Sequence, residues 1–272
     1  MPPPARDADA ATAERPPRVL APSGTFAAVA QNIYDDEAFF SAYAQLPRSI
    51  DGLASALEWP TLQSLIGTAV GPRVVDLGCG YGWFCRWAAG AGASSVLGID
   101  LSERMLDRAR SWPASPAVIR YERQDLDELV LPAATADLAY SSLTLHYLLD
   151  LDRFLATVHD ALVPGGRFVF SAEHPLYTAP STPRFVDGPD GREVWPLDRY
   201  LDEGPRTTDW LAPGVVKQHR TVATYVNALV AAGFALTQIV EWGPDPDQIS
   251  AEPSRAVERD RPPFLLMAVV RA

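Results

Sequence analysis

Short apolar runs alternate along this chain with segments in which apolar residues recur every three or four positions. The runs predict strands, and the recurring positions predict amphipathic helices. The predicted strands cover residues 74–77, 96–100, 118–121, 136–142, 167–172, 234–242 and 264–270. The predicted helices cover residues 58–69, 83–89, 103–110, 151–162 and 221–232, and residues 35–57 have helical spacing that is interrupted at Pro47. This alternation is typical of an α/β fold with a mostly parallel sheet.

A glycine-rich turn, DLGCGYG at residues 76–82, joins the first predicted strand to the following helix. Glycines allow the backbone to take unusual dihedral angles and to approach a ligand closely. The next helix directs its free N–H groups and the positive end of its dipole at that turn. Asp100 ends the second strand and is placed to accept hydrogen bonds from ribose hydroxyls. The pattern therefore predicts a ligand with an adenosine and an anionic group.

The same stretch closely resembles the signature loop of class I S-adenosylmethionine (SAM) dependent methyltransferases. A dinucleotide site would need a third glycine where Trp83 stands, so an NAD-dependent oxidoreductase is the distant alternative. A protein that binds SAM without turnover is a further alternative. The resemblance implies a Rossmann-like, mostly parallel sheet of seven strands with an antiparallel C-terminal hairpin, and SAM as the cofactor. The cofactor-binding residues that it implies are Tyr34, Arg48, Asp76, Gly78, Cys79, Gly80, Asp100, Leu101, Asp125, Leu126 and Ser141.

Individual roles follow from that resemblance. Asp125 would accept from the adenine amino group, with the backbone of Leu126 serving the ring, whereas the adjacent Asp127 is interpreted as solvated. Arg48 would pair with the SAM carboxylate, because a guanidinium fork matches a carboxylate, and Tyr34 or Tyr43 would pack beside the sulfonium. The alternative is that Arg48 is a solvated surface charge and that the tyrosines only pack.

We divide the chain into a disordered extension at residues 1–22, an N-terminal helical lid at 23–70, and a SAM-binding methyltransferase domain at 71–272. Within that domain, residues 175–218 combine many Pro and Gly residues with large aromatics. We interpret them as an insertion after the fifth strand that covers the substrate.

Ser102 precedes the predicted helix at 103–110, and we expect it to cap the start of that helix.

Two residues after the fifth strand are candidates for catalysis. Glu173 is the preferred general base, because desolvation among aromatic rings would raise its pKa, and His174 is its competitor. The alternative is that both cap the strand end structurally. His146 lies near the same edge, and we favour a packing role for it.

The insertion and the segment after it combine cations with aromatic rings. The predicted substrate-binding residues are Tyr177, Arg184, Trp195, Tyr200, Trp210, Lys217, His219 and Arg220. They suggest an anionic, partly apolar substrate, and the preferred hypothesis is carbon methylation of a geranyl-type prenyl diphosphate, with Mg²⁺ possible alongside it. The arrangement is weakly similar to bacterial prenyl-diphosphate C-methyltransferases. The alternatives are O- or N-methylation of a phenolic or carboxylic metabolite, and arginines that pair only with local acids.

Composition narrows the function further. The 272 residues carry a net charge of −11 and a pI near 4.8, which argues against a general nucleic-acid-binding role. Cys79 and Cys85 are expected to be free and to suit a reducing cytoplasm. The sequence shows no metal-ligand spacing, no membrane-spanning run and no signal peptide, and it leaves the oligomeric state open.

Overall fold

A seven-stranded sheet forms the centre of the computed structural model, which describes residues 31–67, 71–112 and 117–272. The strand order is β10-β11-β5-β4-β1-β2-β3, and β11 is antiparallel to both of its neighbours, while β1 to β5 pair in parallel. These strands are β1 (Arg73–Leu77), β2 (Ser95–Asp100), β3 (Ile119–Arg123), β4 (Ala136–Ser142), β5 (Leu162–Glu173), β10 (Phe234–Trp242) and β11 (Phe264–Arg271). The predicted sheet with its antiparallel C-terminal hairpin is confirmed. The predicted extension at 1–22 and the first residues of the predicted lid lie outside the described residues.

Helices cover both faces of the sheet. They are α1 (Glu37–Tyr43), α2 (Pro47–Ile50), α3 (Trp59–Ile66), α4 (Trp83–Gly90), α5 (Glu103–Arg110), α6 (Leu151–Ala161), α7 (Pro175–Thr178), α8 (Val222–Ala231) and α9 (Pro246–Ala251). Successive strand residues point to opposite faces. Val74 accordingly packs with Leu62 and Phe84, whereas Val75 packs in a second cluster with Phe154.

Two local predictions have different outcomes. The Ser102 cap of α5 is confirmed, because its hydroxyl accepts from the Met105 amide at 3.1 Å. Strand β5, however, begins at Leu162 and not at residue 167. Its pairing with β4 shifts between Ala136 and Leu138, so the Pro-Gly-Gly turn at 164–166 is an irregularity within the strand.

The insertion forms two small hairpins beside α7. The first pairs β6 (Val186–Asp187) with β7 (Glu193–Val194), and the second pairs β8 (Gly204–Thr208) with β9 (Val215–His219). Both pairs are antiparallel. Because the insertion follows β5, the chain places it beside the carboxyl edge of the parallel strands, where α/β sheets bind ligands.

Candidate active site

A cavity of about 910 Å³ opens at the carboxyl edge of the sheet. The N-terminal segment, the glycine loop, the ends of β2, β4 and β5, and the insertion all contribute to its wall. Eleven of the predicted site residues line it: Tyr34, Arg48, Gly78, Gly80, Asp100, Leu101, Asp125, Leu126, Glu173, Tyr177 and Trp210. One cavity thus brings together the predicted cofactor and acceptor sides.

Asp100 organises the glycine loop. One carboxylate oxygen accepts from the Gly80 amide at 2.8 Å and the other from the Ser102 amide at 2.9 Å. The carbonyl of Ile99 accepts from the loop amides of Gly78 and Cys79. Burial raises the pKa of Asp100 to about 6, and these amide hydrogen bonds oppose the increase. The acid that the sequence assigned to ribose therefore also fixes the loop.

Three predicted cofactor residues are buried and do not line this cavity. Asp76 is buried and accepts from the Cys85 thiol at 3.2 Å, and burial raises its pKa to about 7. Ser141 is fully buried and donates to the Leu77 carbonyl at 2.6 Å. Cys79 is buried as well, and both cysteines are free as predicted. Since Ser141 points between β4 and β1, its neighbour Ser142 contributes to the cavity wall instead.

Two of the three loop glycines, Gly78 and Gly80, are required for different reasons, and this gives a testable contrast. A Cβ on Gly78 would lie 2.2 Å from the Thr144 hydroxyl at a φ of +81°, whereas a Cβ on Gly80 would meet nothing within 4 Å and would enter the cavity. We expect Gly78→Ala to lower the free energy of unfolding by about 2–4 kcal/mol from strain and overlap. Gly80→Ala should cost only about 1 kcal/mol but should weaken binding of S-adenosyl-L-homocysteine (SAH), the demethylated cofactor. Urea unfolding and calorimetric titration would measure both effects, and an equal loss of stability in the two variants would contradict this contrast.

The predicted adenine end differs in one detail. Asp125 lines the cavity and accepts from the Asp127 amide at 3.0 Å. Asp127, which was interpreted as solvated, is half-buried and also has protein partners, because its carboxylate accepts from the backbone amides of Leu149 and Asp150. These bonds tie the loop after β3 to the start of α6.

The N-terminal segment contacts both sides of the cavity. On the cofactor side, the Asp35 carboxylate accepts from the Ser102 hydroxyl at 2.5 Å, and Glu37 pairs with Arg104 at 2.8 Å. On the insertion side, the Gln31 side chain donates to the Gly214 carbonyl at 3.0 Å and accepts from the Val216 amide at 2.9 Å. The sequence predicted a lid but not these contacts, because they join residues far apart in the chain.

Aromatic rings from three parts of the chain meet at the centre of the cavity wall. The Tyr34 ring lies 5.4 Å from Tyr43 and 6.1 Å from Tyr147, and the Tyr43 ring lies 6.4 Å from Trp210. This aromatic wall fits the packing expected beside a sulfonium, since ring faces attract cations. Tyr43, the alternative to Tyr34 in the sequence analysis, also lines the cavity, whereas Tyr147 is a lining residue that the sequence analysis did not name.

Arg48 forms a partly buried ion pair that also lines the cavity. Its guanidinium lies 2.7 Å from Glu58, whose side chain is only 1% exposed. The second carboxylate oxygen of Glu58 is buried without a hydrogen-bond partner among the described residues. The alternative of a solvated surface arginine is therefore wrong, while pairing of Arg48 with a cofactor carboxylate stays a prediction.

Glu173 lies at the end of β5 and faces the cavity. One carboxylate oxygen accepts from Lys217 at 2.5 Å, and the other is buried with no partner among the described residues. Burial raises the pKa of Glu173, and the charges of Lys217 and Arg261 partly oppose the increase. The Lys217 ammonium also lies 5.0 Å from the centre of the Trp210 ring. The predicted base thus has one fixed oxygen and one oxygen left without a donor.

His146 contacts Glu173 at the same carboxyl edge of the sheet. It is buried, lines the cavity, and accepts with Nδ1 from the Glu173 amide at 3.3 Å. Burial lowers the pKa of His146 well below its ordinary value, and the charges of Lys217 and Arg220 act in the same direction. The ring is therefore neutral at pH 7, with its hydrogen on Nε2.

His174, the competing base, lies away from the cavity wall. Its Nδ1 accepts from the Leu176 amide and caps α7, and its other ring nitrogen lies 3.0 Å from Glu241. The ring is 1% exposed. These contacts favour the structural alternative for His174, although the residue caps α7 and not the strand end.

Several predicted substrate residues are committed to other partners. His219 is fully buried between the Thr178 hydroxyl and the Tyr200 carbonyl, and Arg220 donates to the carbonyls of Leu145, Leu148 and Leu149. Tyr200 accepts with its hydroxyl from the Val222 amide, and Trp195 donates to the Leu176 carbonyl. Arg184 is exposed on the insertion surface. Lys217 is buried against Glu173, so a role for it in binding a diphosphate loses its geometric basis.

Residues 31–67, 71–112 and 117–272 contain no group of three or more His, Cys, Asp or Glu side chains suited to holding a metal ion. Within the same residues, no helix is long and apolar enough to cross a membrane.

The cavity fits SAM on two structural observations. Gly80 leaves space open toward the cavity beside the Asp100 carboxylate, and Glu58 offers a buried acceptor without a donor. The strand order, the loop and the cavity at the carboxyl edge define a class I methyltransferase fold.

Residues 75–170 match the family described as "Methyltransferase domain". A SAM-dependent methyltransferase from Mesorhizobium loti is 58% identical with a TM-score of 0.77, and the match covers 81% of this chain and all of that one. The chain therefore belongs to the SAM-dependent methyltransferases.

Other relatives are more distant. A putative SAM-dependent methyltransferase from Listeria monocytogenes is 36% identical with a TM-score of 0.72, over 80% of this chain and 99% of that one. A malonyl-[acyl-carrier protein] O-methyltransferase from Serratia marcescens is 32% identical over 145 residues, which are 52% of this chain and 55% of that protein. A geranyl diphosphate C-methyltransferase from Streptomyces coelicolor A3(2) is 17% identical with a TM-score of 0.55, over 84% of each chain, and this likeness shows the fold alone.

Proposed function

We propose that the protein transfers the methyl group of SAM to an oxygen or nitrogen atom of a small, partly apolar molecule, with Glu173 as the general base. The observation that carries this proposal is the second Glu173 oxygen, which is buried at the cavity without a hydrogen-bond donor among the described residues. An unpartnered buried acceptor is costly, and an O–H or N–H group of a bound acceptor would satisfy it. The proton of that group passes to Glu173 as the new bond to the methyl carbon forms and the methyl–sulfur bond breaks.

Each part of the cavity has a role in this reaction. SAM, when bound, supplies a methyl group activated by a sulfonium. Asp100 and Asp125 hold the nucleoside at the ends of β2 and β3, and the aromatic wall excludes water from the centre. Lys217 holds the Glu173 side chain in place, and the neutral His146 accepts from the Glu173 backbone amide. The chain thus orients two reactants and accepts one proton.

The charges around the cavity favour a neutral or cationic acceptor over an anion. The cations that line or adjoin the cavity are already ion-paired: Arg48 with Glu58, Arg255 with Glu252, Lys217 with Glu173, and Arg261 with Glu258. Two arginines of the insertion also have local partners, since Arg192 pairs with Asp190 and Arg206 donates to backbone carbonyls. The proposal of a prenyl diphosphate, with or without Mg²⁺, therefore has less support than O- or N-methylation. The O-methyltransferases among the relatives agree with an oxygen acceptor.

The direct test is methyl transfer from labelled SAM to a panel of phenols, aryl amines, carboxylic acids and geranyl diphosphate, with and without Mg²⁺. We expect transfer to a phenol or an amine, independent of Mg²⁺. Transfer only to geranyl diphosphate would overturn the charge argument and restore carbon methylation. Transfer only to carboxylic acids would keep the oxygen acceptor but would remove the need for Glu173 as a base.

A second test uses pH. The base must be ionised, so the rate should fall as the pH drops through the pKa of Glu173. Because the Lys217 charge lowers that pKa, Lys217→Met should raise it and move the acidic limb of the pH–rate profile to higher pH. Lys217→Arg keeps the charge and should leave the limb nearly in place. Both variants must first be shown to bind SAH. If their acidic limbs then lie at the same pH, the Lys217 charge does not set the pKa of the base, and the prediction is contradicted.

A further inference from the structure

One buried arginine joins the insertion to the connection between β10 and β11. Arg261 lies in that connection and is 5% exposed. Its guanidinium carbon lies 4.3 Å from the ring centre of Tyr177, 5.1 Å from that of Phe185 and 4.2 Å from that of Trp195. These three rings, which we call the aromatic cage, all belong to the insertion.

The cage is internally ordered. The rings of Tyr177 and Trp195 are stacked with centres 5.8 Å apart, and Phe185 lies edge-on to Trp195 at 5.1 Å. The Trp195 ring nitrogen donates to the Leu176 carbonyl at 2.8 Å, which anchors the cage to α7. A planar guanidinium suits this arrangement, because it stacks on ring faces and still binds a carboxylate at its edge.

Arg261 also contacts a lining residue outside the insertion. Its guanidinium pairs with Glu258, three residues earlier in the same connection. Glu258 and Tyr177 both line the cavity, one from the connection and the other from the insertion. Arg261, which does not itself line the cavity, thus contacts one lining residue from each of these two segments.

We propose that Arg261 is a positioning residue that fixes the acceptor end of the cavity by holding Tyr177 and Glu258 at a set separation. It does not touch the reacting atoms. Arg261 determines which acceptors fit, because its guanidinium holds the insertion to the connection between β10 and β11. Loss of the guanidinium would release the insertion from that connection. This inference goes beyond methyl transfer and rests on the proposed function only in naming this end as the acceptor end.

The experiment compares Arg261→Met with Arg259→Met in the full-length protein. Arg259 lies in the same connection, but it is exposed and only donates to the Pro244 carbonyl at 3.4 Å. Limited trypsin digestion, mapped by mass spectrometry, would follow cleavage after the exposed Arg184 and Arg192 of the insertion. We expect these cleavages to be about tenfold faster in Arg261→Met, since proteolysis follows the open population. SAH affinity should stay within about twofold of the parent.

Conservative variants separate positioning from simple loss of structure. Arg261→Lys keeps the cation and should restore part of the protection, and Phe185→Leu should accelerate cleavage in the same direction but less. With an acceptor identified in the panel, the acceptor KM should rise in Arg261→Met while the KM for SAM stays unchanged.

The proposal would be overturned if Arg261→Met were cleaved no faster than Arg259→Met. It would also be overturned if Arg261→Met lost SAH binding to the same extent as it lost protection. If Arg261→Met does not fold, unchanged cleavage in both Arg261→Lys and Phe185→Leu would overturn it. Absence of methyl transfer would contradict the proposed function while leaving the cleavage comparison intact.

Discussion

Glu173→Gln should lower the methyl-transfer rate by about 10²–10⁴-fold, the usual contribution of a general base. Glutamine keeps the shape of the side chain and an oxygen for Lys217, but it cannot accept a proton at neutral pH. The nucleoside contacts at Asp100 and Asp125 lie on other strands, so SAH affinity should stay near that of the parent. Single-turnover assays with labelled SAM would measure the rate, and calorimetry the affinity.

The matched control for this substitution is Glu241→Gln. Glu241 lies on β10, two strands away from Glu173: its neighbour Trp242 pairs with Phe264 of β11, and Phe264 pairs with Glu173 of β5. The Glu241 side chain is 59% exposed and contacts His174. This change should leave the rate within about twofold, as expected of a surface substitution. Full activity in Glu173→Gln would remove Glu173 as the base and would leave positioning alone to explain the reaction.

Asp100→Ala should weaken SAM and SAH binding by about a hundredfold or more. The change removes the proposed ribose acceptor and also the carboxylate that binds the Gly80 and Ser102 amides. Charged hydrogen bonds are worth about 1.5–3 kcal/mol each, and about 1.4 kcal/mol corresponds to tenfold in affinity. Isothermal titration with SAH is the measurement, and circular dichroism would verify folding.

The pH dependence of SAH affinity gives this prediction a second readout. The pKa of Asp100 is raised to about 6, so the carboxylate gains a proton as the pH falls through that value and loses acceptor strength. Affinity in the parent protein should therefore decline below about pH 6, and Asp100→Ala should show little of that decline. Asp107→Ala on α5, where the side chain is 71% exposed, is the control. Unchanged SAH affinity in Asp100→Ala would contradict the assigned cofactor site.

Features governed by local rules could be predicted from the sequence. Strand β4 has the predicted bounds, and the α5 cap and the glycine loop follow from residue types at short spacing. Asp100 and Asp125 were placed correctly at the cavity because strand ends in a parallel sheet share one edge. The bounds of β5 were missed, since a pairing irregularity depends on the neighbouring strand.

The errors lie where partners come from distant parts of the chain. His174 and His219 have the right chemistry for a site, but their ring nitrogens are engaged by other groups, Glu241 of β10 for His174 and Thr178 of the insertion for His219. Lys217 was predicted to bind an anionic substrate, and only the position of β9 shows that it binds Glu173. Trp195 was predicted to face a substrate, whereas its ring contacts Arg261 from a connection more than sixty residues later. Such pairings depend on tertiary structure and have no short-range signal.

The bonds of the N-terminal segment have a kinetic consequence. Asp35 holds this segment to the start of α5, and Gln31 holds it to the β8–β9 hairpin. We therefore expect withdrawal of the segment to loosen the hairpin as well. In the proposed reaction, the spent nucleoside and the methylated product would then share one exit step, and its duration would set a ceiling on turnover however fast the chemistry is. Strengthening either anchor would lengthen residence times at both ends of the cavity together.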